Sequence, residues 1–94
     1  MFDSLDKLIL HVAYGRIAES GGKYVAGCTV WADARLVVPD LAPVYVPARL
    51  RRLVSKGLLN KDRANSSRRT KVYVPTEAGY RKWDEIKSEL QAES

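Results

Sequence analysis

Nine basic side chains and a single acid lie between Pro43 and Val74, so this stretch carries a charge of +8. Guanidinium and ammonium groups at this density attract phosphates, and arginine can also donate two parallel hydrogen bonds to a planar pair of acceptors. The stretch therefore predicts a binding surface for a nucleic acid or another anionic partner. Its charged residues are Arg49, Arg51, Arg52, Lys56, Lys61, Arg63, Arg68, Arg69 and Lys71, with Asp62 as the acid.

The rest of the chain has the opposite charge, −3, although the whole sequence of 94 residues carries +5. A surface selected for solubility alone would mix its signs, so the segregation favours a function. The alternative is a lysine- and arginine-rich face that contacts nothing specific. Apolar residues make up 46% of the sequence, which predicts one compact domain over residues 1–94.

Several other kinds of chemistry lack the residues they need. One cysteine, Cys28, cannot form an internal disulfide, and with the one histidine, His11, it cannot complete a structural zinc site. We expect Cys28 to be a small buried apolar residue. No glycine-rich phosphate loop, metal-ligand spacing or nucleophile elbow is present, so we expect no enzyme, cofactor, metal or small-molecule ligand. No apolar run is long enough to span a membrane, and we expect a cytoplasmic, nucleoid-associated protein.

The elements that must position the basic side chains are three helices and a hairpin. Apolar spacing predicts a helix over residues 3–19, followed by a short strand near 24–28. Thr29 is the expected N-cap of a second helix that Pro39 terminates. A third helix over about 43–57 has its apolar face at Val46, Leu50, Leu53 and Val54, and Pro47 fits only in its first turn.

A basic β-hairpin follows this helix directly. Its predicted strands cover 58–63 and 69–74, and a polar turn at 64–68 joins them. Thr76 is the expected cap of a last helix over 76–92, whose apolar stripe contains Tyr80, Trp83, Ile86 and Leu90.

The segment from Leu50 to Gly79 resembles the winged helix-turn-helix regulators of the MarR and PadR kind. Leu53, Gly57 and Leu58 match the end of the recognition helix in those families. The paired Arg68 and Arg69 match their basic wing, and Thr76 with Gly79 matches the "Thr-x-x-Gly" step into the last helix. The resemblance implies an α+β, mainly helical winged-helix fold with a three-helix core, a hairpin wing and an additional C-terminal helix. The helix-turn-helix would span about 29–57, the wing about 58–75 and the last helix about 76–92.

The same resemblance implies a homodimeric transcriptional repressor that binds double-stranded DNA. The third helix would enter the major groove, and the wing would contact the backbone or the minor groove. The expected DNA-binding residues are Tyr45, Pro47, Ala48, Arg49, Arg51, Arg52, Arg63, Asn65, Ser66, Ser67, Arg68, Arg69 and Lys71. The expected dimer interface consists of Phe2, Leu5, Leu8, Tyr80, Trp83, Ile86 and Leu90.

Three alternatives stay open at this point. A winged-helix RNA-binding or ribosome-associated protein could stack bases on Tyr45 and Tyr73. A plasmid or virus DNA partition or packaging protein would use the same basic face. The stripe on the last helix could also pack on the first helix of its own chain instead of forming a dimer.

Overall fold

The computed structural model describes the backbone of residues 3–92 and the side chains of residues 3–89. Four helices and a small antiparallel sheet form an α+β fold. The elements are α1 (Ser4–Glu19), β1 (Val25–Ala26), α2 (Gly27–Val37), α3 (Tyr45–Ser55), β2 (Leu59–Lys61), β3 (Val72–Pro75) and α4 (Glu77–Ala92). Helices α2 and α3 are joined by residues 38–44 and follow the predicted order.

Helix α1 begins where the sequence predicts, because Asp3 and Asp6 form a capping box. The Asp3 carboxylate accepts the backbone N–H of Asp6 at 2.9 Å, and the Asp6 carboxylate accepts the N–H of Asp3 at 3.3 Å. Together they satisfy two backbone donors that the first turn leaves unpaired. The helix ends before Gly21 and Gly22, whose φ angles of 79° and 81° are in the left-handed region.

Helix α2 begins three residues earlier than predicted, and Thr29 is not its N-cap. The N-cap is Ala26, which has no capping side chain. The backbone at this point is fixed by strand pairing instead: Val25 pairs with Tyr73, and the N–H of Gly27 donates to the carbonyl of Lys71 at 2.9 Å. The strand thus runs directly into the helix.

The three strands are ordered β1–β3–β2, and both pairings are antiparallel. Strand β3 pairs with β2 through Leu59–Pro75 and Lys61–Tyr73. The wing strands are shorter than the sequence predicts, because the backbone leaves the ladder after Asp62, whose N–H donates to the carbonyl of Val72. The wing is therefore fixed at its base to β1 and to the start of α2.

The buried core lies between α1, α2 and α3 and includes the predicted apolar face of the third helix. Val46, Leu50 and Leu53 are almost completely buried. Core side chains from α1 and the sheet complete it, namely Ile9, Leu10, Ala13, Ile17, Val25 and Leu59.

Helix α4 is positioned on α1 by Tyr14 and Thr76. The Tyr14 hydroxyl donates to the carbonyl of Leu58 and accepts the N–H of Thr76 at 3.2 Å. The Thr76 hydroxyl donates to the carbonyl of Gly57 at 2.7 Å and accepts the N–H of Gly79 at 2.9 Å, so Thr76 caps α4 as predicted. A Cβ on Gly79 would lie 1.6 Å from the Tyr14 hydroxyl, so only glycine fits there.

Candidate nucleic-acid interface

Helix α3 presents an exposed stripe on the side opposite its buried residues. Val44, Ala48, Arg51 and Ser55 follow the spacing of one helix face. Pro47 stands in the first turn, where a missing N–H leaves no intrahelical hydrogen bond unmade. The exposed stripe is apolar in the first two turns and has one long cationic side chain, Arg51.

Two of the three α3 arginines that are predicted to contact DNA form ion pairs with acids at the start of α1. Arg49 donates to Asp3 at 2.6 Å and to Asp6 at 3.2 Å, and Arg52 lies 3.3 Å from Asp6. The Asp6 side chain is only 1% exposed, and a buried carboxylate is costly unless it is paired, as it is here. The Arg49 guanidinium beside Asp3, together with the backbone N–H of Asp6, lowers the pKa of the Asp3 carboxyl to about 2. Arg49 and Arg52 thus join α3 to α1.

Arg51, the third arginine of α3, is exposed. Burial raises the pKa of the Tyr73 hydroxyl, and the positive charge of Arg51 opposes this shift, so the two side chains are within electrostatic reach. Tyr73 itself is 3% exposed. The idea that Tyr73 stacks on a base is therefore wrong, because its ring is covered by the protein.

The tip of the wing is shaped by hydrogen bonds around Asp62. Its carboxylate accepts the side-chain amide of Asn65 at 2.7 Å, and its carbonyl accepts the hydroxyl of Ser66 at 2.6 Å. The Ser66 oxygen also accepts the N–H of Val72 at 2.9 Å. The Ser67 hydroxyl accepts the N–H of Thr70 at 3.1 Å. Asn65, Ser66 and Ser67 thus set the backbone of the tip.

The basic side chains of the wing point into solvent. Arg63, Arg68, Arg69 and Lys71 are exposed. No ion pair within the described part of the chain involves any of them. Their charges are therefore not offset by a neighbouring acid, in contrast to Arg49.

A cavity of about 230 Å³ joins the wing to the N-terminal half of α3. Pro47 lines it from α3, while Arg69 and Lys71 line it from the wing. The two predicted DNA-binding elements therefore lie beside each other on one side of the molecule. The remaining lining residues are Gly27, Cys28, Trp31, Pro43, Val46, Leu50 and Tyr73.

Two exposed residues, one on α2 and one at the start of α3, were not identified from the sequence. Cys28 was expected to be buried, but it is exposed, because it lies in the first turn of α2 at the cavity wall. Val44 is 71% exposed and occupies the N-cap position of α3. The helical spacing from Val44 to Ala48 and Arg51 is the signal that could have found it.

Tyr45 points away from this exposed stripe. It is 55% exposed and lines a groove with Leu5, Leu8 and Val38, next to the start of α1. Leu5 and Leu8 are half-buried there. This groove is separate from the cavity between α3 and the wing.

Much of the stripe on α4 packs within its own chain. Ile86 is 3% exposed, which removes it from the predicted dimer interface, because the core of its own chain already covers it. The Trp83 indole donates to Nδ1 of His11 at 3.0 Å. The ring of Tyr80 packs edge-on against Tyr14 with centroids 5.1 Å apart. The side chains of Phe2 and Leu90, also predicted for the interface, lie outside the described residues.

No helix within residues 3–92 has both the length and the apolar character needed to cross a membrane. Among the side chains that the structure describes, no group of three or more histidines, cysteines and acids could hold a metal ion.

The comparisons with known proteins identify the architecture. Two solved structures of complexes of RosR, a haloarchaeal transcriptional regulator, match with a TM-score of 0.71. One complex, hsRosR-S1, is 22% identical, and the match covers 96% of this chain and 74% of that one. The other, hsRosR-S4, is also 22% identical, with 96% and 72% covered. The chain has a winged-helix fold.

No known protein-family model and no curated protein matches the sequence. The winged-helix architecture expected from the hairpin and the Thr76–Gly79 step is confirmed. The division into MarR or PadR type stays a prediction.

Proposed function

We propose that this winged-helix protein binds double-stranded DNA with α3 in the major groove and the wing on the backbone or in the minor groove. The observation that carries the proposal is the shared cavity of Pro47 on α3 with Arg69 and Lys71 on the wing. Because both elements face the same side, one duplex can contact them simultaneously. The width of the major groove accommodates a single helix such as α3.

The contacts suggest a division of roles on this face. Arg51 is suited to hydrogen-bond a guanine edge, because its guanidinium is exposed on the outer stripe of α3. The wing cations Arg63, Arg68, Arg69 and Lys71 would bind phosphates, while Asn65, Ser66 and Ser67 maintain the tip that presents them. Arg49 and Arg52 would act indirectly, by holding α3 against α1 through Asp3 and Asp6.

We further propose that the protein is a transcriptional regulator, acting as a repressor in the cytoplasm. The similarity to RosR, a transcriptional regulator with the same fold, supports this choice. A repressor needs only to occupy its site, which the proposed DNA-binding face would allow.

We also propose a homodimer, because one winged helix binds only a half-site and two give spacing specificity. Leu5 and Leu8 at the groove beside Tyr45 are the described apolar side chains best placed for such contacts. Tyr80 on α4, 36% exposed, is a further candidate. Sedimentation at micromolar concentration, with and without DNA, tests the dimer. A particle of 10.5 kDa in both conditions would contradict it.

The direct test is a titration of random-sequence duplex DNA at several salt concentrations. Neutralising roughly five to eight phosphates per bound unit gives a slope of log K against log salt of about −4 to −7. A slope near zero would remove the electrostatic basis of the proposal. A structured RNA of equal length serves as competitor, and stronger binding to that RNA would favour the RNA-binding alternative.

A further inference from the structure

The beginning of α3 presents apolar side chains where a DNA-reading helix usually presents polar ones. Val44 is 71% exposed, and Pro47 beside it is also exposed. Ala48, one turn after Val44 on the same face, is half-buried. None of these three side chains can donate or accept a hydrogen bond. The first hydrogen-bonding side chain on this stripe is Arg51, nearly two turns from Val44.

The charges around these three residues, the apolar tip of α3, indicate which kind of partner covers them. Arg51 follows the tip on α3, and Arg69 and Lys71 lie across the cavity from Pro47. Arg69 and Lys71 form no ion pair within the described residues, so Pro47 faces uncompensated cations across the cavity. A polyanion complements this surface, whereas a second copy of the chain would bring the same positive charges together.

The major groove of DNA has one apolar group on its base edges, the C5-methyl group of thymine. The N-terminal part of a recognition helix approaches these edges most closely. We infer that Val44 and Ala48 recognise thymine methyl groups by direct apolar contact. Val44 is then a specificity-determining residue. This inference rests on the proposed DNA binding, and it specifies thymine as the base that the start of α3 recognises.

The test removes only the methyl group. Duplexes are selected from a random library with the full chain, and the recovered sequences are synthesised again with deoxyuridine in place of thymidine. Each buried methyl group is expected to contribute about threefold to fourfold in affinity, so the wild-type protein should bind the uracil duplex at least about threefold more weakly. The Val44→Ala variant should lose most of this difference, because its shorter side chain no longer reaches the methyl group.

Two control variants separate this contact from general effects. Val37→Ala removes a similarly exposed valine, 64% exposed on α2, and should keep the full preference for thymine. The double variant Arg68→Ala, Arg69→Ala should bind both duplexes more weakly and leave their ratio unchanged. Equal wild-type affinity for thymine and uracil duplexes, with salt-dependent binding retained, would overturn the inference but not the DNA binding. Failure to bind any duplex would overturn both.

Discussion

The carboxylate of Asp6, almost fully buried at the start of α1, lies 3.2 Å from a guanidinium nitrogen of Arg49 on α3. Arg52 reaches the same carboxylate at 3.3 Å, one turn further along α3. The capping box of α1 is therefore also the anchor of the proposed recognition helix. The acids neutralise part of the positive charge of Arg49 and Arg52, and these ion pairs fix the angle between α3 and α1.

Replacing Asp6 with asparagine should destabilise the fold. The variant removes the negative charge that Arg49 and Arg52 both contact, at an expected cost of about 1–3 kcal/mol. A urea unfolding midpoint lower than that of the wild type would show the loss. Glu89→Gln is the matched control, since it breaks an exposed ion pair with Lys7 and should change the midpoint little. Equal midpoints for Asp6→Asn and Glu89→Gln would contradict the anchor.

Asp3 should make stability depend on pH in the acid range. Its pKa in the folded protein is about 2, below the ordinary value of 3.8, because Arg49 and the N–H of Asp6 bind the charged form. The carboxylate therefore favours folding above about pH 4, and this advantage is lost as the pH falls towards 2. Unfolding free energies of the wild type and Asp3→Asn should differ at pH 6 and converge near pH 2. Equal unfolding free energies of the two proteins at both pH values would mean that Asp3 acts only as a helix cap, which asparagine also provides.

Two glycines in helices should respond oppositely to alanine. Gly79→Ala places a Cβ 1.6 Å from the Tyr14 hydroxyl and 2.1 Å from the Leu58 carbonyl, which should cost about 2–4 kcal/mol through overpacking and a broken hydrogen bond. Gly15→Ala meets no atom within 4 Å and should stabilise α1 by about 0.5–1 kcal/mol. Thermal or urea unfolding of both variants measures the contrast. A Gly79→Ala protein as stable as the wild type would disprove the close approach of α4 to Tyr14.

Arg51 and the wing arginines should affect DNA binding in different ways. Arg51→Ala should reduce the preference for selected over random DNA by about 1–3 kcal/mol, the worth of a bidentate contact to guanine. Arg68→Ala with Arg69→Ala should weaken binding to both DNAs alike and make the salt slope shallower. Fluorescence anisotropy with a selected and a random duplex distinguishes the two patterns. Equal losses on both duplexes for both proteins would refute the division of roles.

Local signals in the sequence were sufficient for the elements that they control directly. Apolar spacing predicts α1, and Pro47 with the spacing of Leu50 and Leu53 predicts α3. Thr76 is a cap in the structure because the threonine hydroxyl needs only the N–H three residues ahead. These signals act within one or two helical turns, which is why they are visible in a single sequence.

The features that could not be predicted from the sequence depend on contacts between residues far apart in the chain. The start of α2 is set by pairing of residues near 26 with residues near 72, not by the hydroxyl of Thr29. The pairing of Arg49 with Asp6 joins positions 43 residues apart, and no pattern in either segment indicates the other. Apolar character alone could not show that Val44 is exposed, since the burial of Val46 two residues later follows from the rotation of the helix.

The hydrogen bonds of residues 63–70 in the wing tip stay within residues 62–72, whereas the carbonyl of Lys71 accepts the N–H of Gly27 and the strands beneath the tip are shared with β1. An insertion or deletion within residues 63–70 should therefore disturb the sheet and the helices little. An insertion near Val25 or Gly27 would instead shift the register of the sheet and turn α2 with it. Proteins descended from this chain would therefore vary in the length and sequence of the wing loop, while β2 and β3 at the base of the wing would keep their length.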